Sequence, residues 1–335
     1  MVYRTALIGC GKIASAFADD PGFASAGVCT HAQAYAACEQ TQLIAVCDND
    51  AGKLERCGRR WNITARYRDA GHLLEEQHPE IVSVCTPDPT HYELVRAALR
   101  TDGVRAVLAE KPLALEVEQA RELEKLADQR GVVLAVNYLR RYAERIVWLR
   151  EFVRSGGIGT VRLVSGLYTK GTLHSGTHWL DLARFLIGEV VRVAGRNRLH
   201  EAGDDPTLDM HLEFEGGAVG ELFGCSEDDF SVFEMDLIGT GGRLCLTHSG
   251  DVVDVFTVVS GVPSGDYRGL VRQSRTEDVL RDVLLRVVED LVGCLRTGGT
   301  PRCTGLDAVR ALEIGLAARR SAATGQMAAL GDGGR

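Results

Sequence analysis

Five short apolar runs, at 5–8, 43–47, 81–85, 104–108 and 132–136, mark the first part of the chain. Segments whose apolar residues recur every three or four positions separate them, including 32–38, 92–99 and 117–127. Runs without polar alternation are what strands buried on both faces require. Interleaved with helices, they predict a parallel sheet covered on both sides, a doubly wound Rossmann domain over 1–136. After 137 the rhythm changes. Helical spacing over 143–154 stops at Ser155-Gly156-Gly157, a natural helix end. A strand is expected at 161–168, a helix at 177–186, and strands at 190–196, 208–214, 219–225, 233–238, 243–247 and 252–258. In the strand at 208–214, Leu208, Met210, Leu212 and Phe214 alternate with Asp209, His211 and Glu213, the period of a half-buried antiparallel strand. Helices at 276–296 and 305–323 and a frayed tail at 331–335 complete the pattern. With no repeat or low-complexity tether, 137–335 reads as one second domain.

The 335 residues are enough for two cores, and 45% hydrophobic with 25% charged residues is the balance of an ordinary globular chain. A net charge of -8 without clustered Lys or Arg argues against a nucleic-acid surface. No apolar stretch approaches the roughly 18 residues of a membrane span. The first strand follows Met1 directly, without the features of a leader peptide. A cytoplasmic protein is expected. The ten cysteines form no C-x-x-C pair, and several lie in apolar runs, where a thiol behaves as a small hydrophobe.

Gly9-Cys10-Gly11-Lys12-Ile13-Ala14 ends the first strand and precedes a helix, so Gly9, Gly11, Lys12 and Ile13 fit a dinucleotide-binding turn. Asp48 ends the second strand. A carboxylate there accepts from ribose hydroxyls and repels a 2′-phosphate, which favours NAD over NADP. The interval from Ala14 to Asp48 exceeds the usual spacing of about 20 residues, and an inserted loop over 19–30 accounts for the excess. Glu110-Lys111-Pro112 follows the fourth apolar run at the carboxyl edge, where ligands bind.

With these pieces the chain resembles the glucose–fructose oxidoreductase/inositol dehydrogenase (Gfo/Idh/MocA) family. The resemblance rests on the glycine turn, Cys85-Thr86-Pro87-Asp88-Pro89-Thr90-His91, Glu110-Lys111-Pro112, Asn137-Tyr138-Leu139-Arg140-Arg141-Tyr142, Gly176-Thr177-His178-Trp179-Leu180-Asp181 and Ala311-Leu312-Glu313-Ile314. It implies an α/β fold: an N-terminal doubly wound Rossmann domain and a C-terminal α/β domain with a large open, mostly antiparallel sheet. The implied chemistry is hydride transfer between a nicotinamide and a secondary alcohol or ketone of a sugar, amino sugar or cyclitol. A homodimer or homotetramer through the C-terminal sheet is also implied. Lys111 and His178 would be catalytic. Thr86, Pro87, His91 and Glu110 would join Lys111 on the cofactor side, and Arg141 and Tyr142 would lie at the domain junction or substrate pocket. Tyr168 and Lys170, at the end of a strand, are expected substrate contacts, with a solvated strand end equally open for Lys170. His174 stands where the family commonly has Asp, four residues before the catalytic His. Three readings stay open for it: a substrate or proton-transfer contact, a packing residue, or a metal ligand with His178 and Asp181. Trp179 is expected in the core. Two other functions remain open: reduction of a dihydrodiol or enone substrate, and a catalytically silent NAD-binding sensor.

Overall fold

The computed structural model describes residues 1–261 and 266–331. It forms two compact units, one made of Met1–Tyr142 with Arg281–Val309, the other of Ala143–Leu280 with the chain from Arg310 onward.

The first unit carries a parallel sheet of β1 (Tyr3–Ile8), β2 (Thr41–Cys47), β3 (Ala65–Tyr67), β4 (Ile81–Val84), β5 (Ala106–Ala109) and β6 (Val133–Val136), in the order β3-β2-β1-β4-β5-β6. Every residue of β4 and β5 is buried, which is why these strands read as unbroken apolar runs. β3 escaped the pattern because its three residues, Ala-Arg-Tyr, are only half-buried. Helices α1 (His31–Ala37), α2 (Ala51–Arg60), α3 (Ala70–Gln77), α4 (His91–Arg100) and α5 (Val117–Arg130) connect the strands. The helix expected straight after the glycine turn is replaced by turns and two 3-10 helices, Ala16–Asp19 and Pro21–Ala26. Asp20 starts the second of these by accepting the Gly22 N–H at 2.9 Å. The insertion is therefore locally built chain, and a Thr30–Gln33 capping box then opens α1.

The second unit holds α6 (Glu144–Arg154), α7 (Thr177–Ile187) and a sheet of β7 (Val161–Tyr168), β8 (Val190–Arg196), β9 (Asp209–Phe214), β10 (Val219–Gly224), β11 (Phe233–Gly239), β12 (Gly242–Thr247), β13 (Val252–Ser260), β14 (Arg268–Thr276) and β15 (Ala328–Ala329). Among the described residues the order is β14-β13-β12-β11-β7-β10-β9-β8-β15, antiparallel except between β7 and β10. β14 was not expected. It is a polar edge strand whose pairing with β13 substitutes for an apolar pattern. Thr276 still pairs with Val253, so the helix expected from 276 begins later, as α8 (Val283–Thr297).

The expected boundary at 136 differs from the observed division. Val136 is the last rung of β6 opposite Ala109, and the first unit runs on to Tyr142. The chain then returns to this unit at 281. The Val136 N–H donates to the Cys303 carbonyl at 3.2 Å, and Ala135 bridges Thr304. Periodicity identifies α8 and α9 (Gly305–Thr324) as helices, but it cannot say which sheet each one covers. Of the tail expected to fray, 332–335 lies outside the described residues.

Candidate active site

Ladder register sets the carboxyl edge of the parallel sheet. Cys47 pairs with Ile8, Ile8 with Val84, Val84 with Ala109, and Ala109 with Val136. The next residue on each strand is therefore one of a row: Asp48, Gly9, Cys85, Glu110, Asn137. Two strands that lie far apart in sequence place the glycine turn and the Glu110-Lys111 pair at one level.

Gly9 has φ +95, and a Cβ there would lie 2.6 Å from the Cys85 carbonyl oxygen, so glycine is required. A Cβ on Gly11 would meet nothing within 4 Å, so the space above this turn is open. Among the described residues, no backbone carbonyl accepts from the N–H groups of residues 11–14, and backbone bonding resumes at Ser15. An open approach over unsatisfied N–H groups fits the pyrophosphate of a dinucleotide. Asp48 Oδ2 accepts the Cys10 N–H at 2.7 Å and Oδ1 the Asp50 N–H at 2.8 Å. The carboxylate thus braces the glycine turn and keeps lone pairs for further donors. A cavity of about 210 Å³ adjoins the turn, and its wall includes Lys12 and, from α2, Lys53, Arg56 and Arg60. Positions 53, 56 and 60 share one helical face. A reading confined to the neighbours of Asp48 misses these cations.

Glu110 is buried. It accepts from Asn137 Nδ2 at 2.6 Å and lies 2.9 Å from His31 Nε2. His31 Nδ1 is 3.0 Å from Ser83 Oγ, which is 2.6 Å from the Tyr35 hydroxyl. One assignment satisfies each bond in this chain with a neutral imidazole: Tyr35 donates to Ser83, Ser83 to His31, and His31 to Glu110. Burial alone would raise the Glu110 carboxyl. The His31 contact, the Asn137 hydrogen bond and the Lys111 charge outweigh it and hold the group below its ordinary value. Lys111 is half-buried. Asn137 Oδ1 is buried without a partner among the described residues, an acceptor that a ligand N–H or O–H would satisfy. Sequence reasoning missed His31 and Asn137 as site residues. Their signal was weak: a helix-start histidine and an asparagine one residue past a strand.

Several expected contacts prove to be braces. The ring nitrogens of His91 lie 2.7 Å from the Pro112 and Thr86 carbonyls, and the residue is buried. It therefore fastens the two turns together. Thr86 is half-buried and Pro87 exposed on that edge. Arg141 is buried against Asp307 at 3.0 Å, and the Tyr142 hydroxyl accepts the Cys303 N–H at 3.2 Å. Both tie the returning 302–307 segment to the rest of the first unit. Tyr168 braces the second unit in a similar way. It is fully buried, with its hydroxyl between Leu208 N, Leu208 O and Thr172 Oγ1 at 2.8, 2.8 and 3.1 Å.

In the second unit Lys170 is exposed with φ +68. It leads into a π-helical turn, Gly171–Gly176, that runs straight into α7. Such turns recur at functional sites. His174 on the π turn is exposed and His178 on α7 half-buried, while Trp179 is buried and donates to the Glu234 carbonyl at 3.0 Å. From the segment between β8 and β9, Asp205 accepts the Leu173 and His174 N–H groups at 2.8 and 2.9 Å. Burial raises its carboxyl despite these bonds. The helix lacks a carboxylate at position 174, and a distant segment places one against that residue's backbone.

Residues 3–138 match the model of an oxidoreductase family with an NAD-binding Rossmann fold, and residues 146–245 match the GFO/IDH/MocA C-terminal domain. The chain belongs to the GFO/IDH/MocA family. Among relatives of this oxidoreductase, the D-apiose dehydrogenase of Paraburkholderia graminis is 26% identical over 97% of this chain and 88% of that protein. The myo-inositol 2-dehydrogenase of Thermotoga maritima is 25% identical over 87% of this chain and 92% of that protein. A levoglucosan dehydrogenase in complex with NADH and levoglucosan shares the fold, with a TM-score of 0.80, 18% identity and coverage of 98% of this chain and 99% of the other.

Proposed function

We propose that this oxidoreductase transfers hydride between NAD and a secondary alcohol or ketone of a sugar, amino sugar or cyclitol. The observation that carries the reading is the single edge row, in which the glycine turn and Glu110-Lys111 sit level on one sheet. Relatives named for apiose and myo-inositol support the substrate class. The cofactor, when bound, supplies the nicotinamide that accepts or gives hydride. Lys111 is assigned to the reacting oxygen, where its ammonium offsets developing negative charge. His178 is assigned to take the hydroxyl proton, since imidazole titrates near neutrality. His174 is assigned to substrate binding, and Lys170 stays a candidate contact. The expectation is that Lys111→Ala lowers kcat by about 10²–10³-fold while NADH binding, read by its fluorescence, is retained. Turnover near that of the unaltered enzyme on a panel of inositols, aldoses and glycosides would overturn the assignment.

Asp48 supports NAD as the cofactor. The second reading, use of NADP as well, is favoured by Lys12, Lys53 and Arg56 around the adjoining cavity. Titration with NADH and NADPH side by side decides between them. Assembly through the second unit's sheet belongs to the same proposal. It is supported by exposed Phe223 and Ile238, which alternate with buried Leu222 and Leu237; light scattering tests it. A cytoplasmic location accords with ten free cysteines. No helix among the described residues is long and apolar enough to cross a membrane.

A further inference from the structure

The π turn at Gly171–Gly176 begins without a cap of its own. Lys170, the residue before it, stands at φ +68, and its side chain makes no capping hydrogen bond. A helical N-terminus leaves its first four N–H groups without partners inside the helix. Here all four are taken by three consecutive residues from the segment between β8 and β9. The Gly171 N–H donates to Thr207 Oγ1 at 3.0 Å, and the Thr172 N–H to the Pro206 carbonyl at 3.2 Å. The Leu173 and His174 N–H groups donate to Asp205 Oδ1 and Oδ2 at 2.8 and 2.9 Å. One carboxylate thus commits both oxygens to the backbone that carries the exposed His174.

The three capping residues are themselves held. The Thr172 hydroxyl donates to the Pro206 carbonyl at 2.6 Å, and the Thr207 N–H donates to Glu201 Oε2 at 2.7 Å. Glu201 and Asn197 exchange hydrogen bonds of 2.9 and 3.1 Å. Gly171 has φ +81, and a Cβ on it would lie 2.2 Å from Asp205 Oδ2. Glycine stands where the carboxylate comes in. Hydrogen bonds to an ionised acceptor are roughly twice as strong as neutral ones, so Asp205 is the strongest member of this clasp. The register it holds matters for the site. A π turn closes its bonds one residue later than an α turn. Relaxation to α geometry would rotate His174 by about 100° around the axis relative to His178.

We propose that Asp205 is a positioning residue for the substrate site. It fixes the π register and, through it, the orientation of His174 relative to His178. The inference rests on the roles proposed above for these imidazoles, substrate binding for His174 and proton acceptance for His178. His174 is held through its own N–H, whereas His178 is carried on α7 beyond the turn. Loss of the carboxylate therefore acts first on substrate affinity and less on the chemical step.

The test compares the full chain with Asp205→Asn and Asp205→Ala, the latter also in buffer containing formate. Histidine-selective isotope labelling gives one imidazole NMR signal per residue, and His174→Ala and His178→Ala assign the two of interest. The expected result is a shift of the His174 and His178 signals in both Asp205 variants. The signals of His31 and His91, in the first unit, should not move. On the inositol, aldose or glycoside turned over fastest, KM should rise ~10-fold or more while kcat falls less. NADH affinity should stay as it was. Formate should return the Asp205→Ala signals and KM toward those of the unaltered chain, since it restores a carboxylate to the gap. A merely structural loss would lower kcat in step with the folded fraction and leave KM and the imidazole signals of the folded protein unchanged. That result overturns the proposal. If His174→Ala and His178→Ala both turn substrate over as before, the roles assigned to the imidazoles fail, and the signal shifts alone decide the positioning. Asparagine keeps one acceptor oxygen, so that variant decides the matter even if the alanine variant folds poorly.

Discussion

Replacing His31 with alanine is the sharpest probe of the chain behind Lys111. The change removes the 2.9 Å contact to Glu110 and the 3.0 Å contact to Ser83. It leaves Glu110, 7% exposed, holding only Asn137. Losing a hydrogen bond to a buried charged group costs about 1.5–3 kcal/mol. Losing a neutral buried hydrogen bond costs about 1–3 kcal/mol. His31→Ala alone is therefore expected to destabilise by about 4 kcal/mol. Adding Glu110→Gln removes the stranded charge, so the double variant should recover about 1–2 kcal/mol relative to the single one. Urea unfolding followed by circular dichroism and Trp fluorescence reads this out, with the m-value checked for constancy across the set. The reasoning fails if His31→Ala costs under about 1 kcal/mol, or if the two substitutions simply add. Additivity would mean that the two groups do not share a network.

Asp48→Ala should weaken NADH binding and narrow the preference over NADPH, since the carboxylate leaves while Lys12, Lys53 and Arg56 remain; an unchanged NADH/NADPH ratio would place the selectivity elsewhere. Asp205→Ala removes two N–H acceptors at the start of the π turn, and a loss of about 0.5–2 kcal/mol in thermal or urea unfolding is expected. The Glu110 carboxyl is held below its ordinary 4.5. Its stabilisation is thus complete above that value and disappears as the pH falls through the lower folded value. The stability gap between wild type and Glu110→Gln should shrink over that acid range, and a gap that widens there would reverse the sign of the argument.

The parallel strands were legible because burial on both faces leaves an unbroken apolar run, as at 81–84 and 106–109. The glycine turn was legible because Gly9 has a steric reason to be glycine. What stayed hidden depended on partners remote in sequence. Asn137 and His31 gain their meaning only when Glu110 arrives between them, 27 and 79 residues away. Tyr168 and Arg141 have the side chains of ligand contacts, and only their partners, Leu208 and Asp307, show that they brace the frame. The cations on α2 required knowing which helical face turns toward Gly11. Asp205, 31 residues from His174, could not be matched by spacing to a position where the helix lacks a carboxylate.

Both units are threaded discontinuously: the first is interrupted between Tyr142 and Arg281, and the second between Leu280 and Arg310. During synthesis neither can finish in turn. When residue 280 leaves the ribosome, the parallel sheet still lacks α8 and the Cys303 and Thr304 partners of β6, while the open sheet still lacks β15 and most of α9. A nascent chain stalled there carries two uncovered apolar faces at once, the condition in which a chaperone is needed most. For the same reason no single contiguous fragment reproduces either unit. Dissection of this enzyme into parts calls for a spliced chain such as 1–142/281–309, because truncation leaves one of the faces bare.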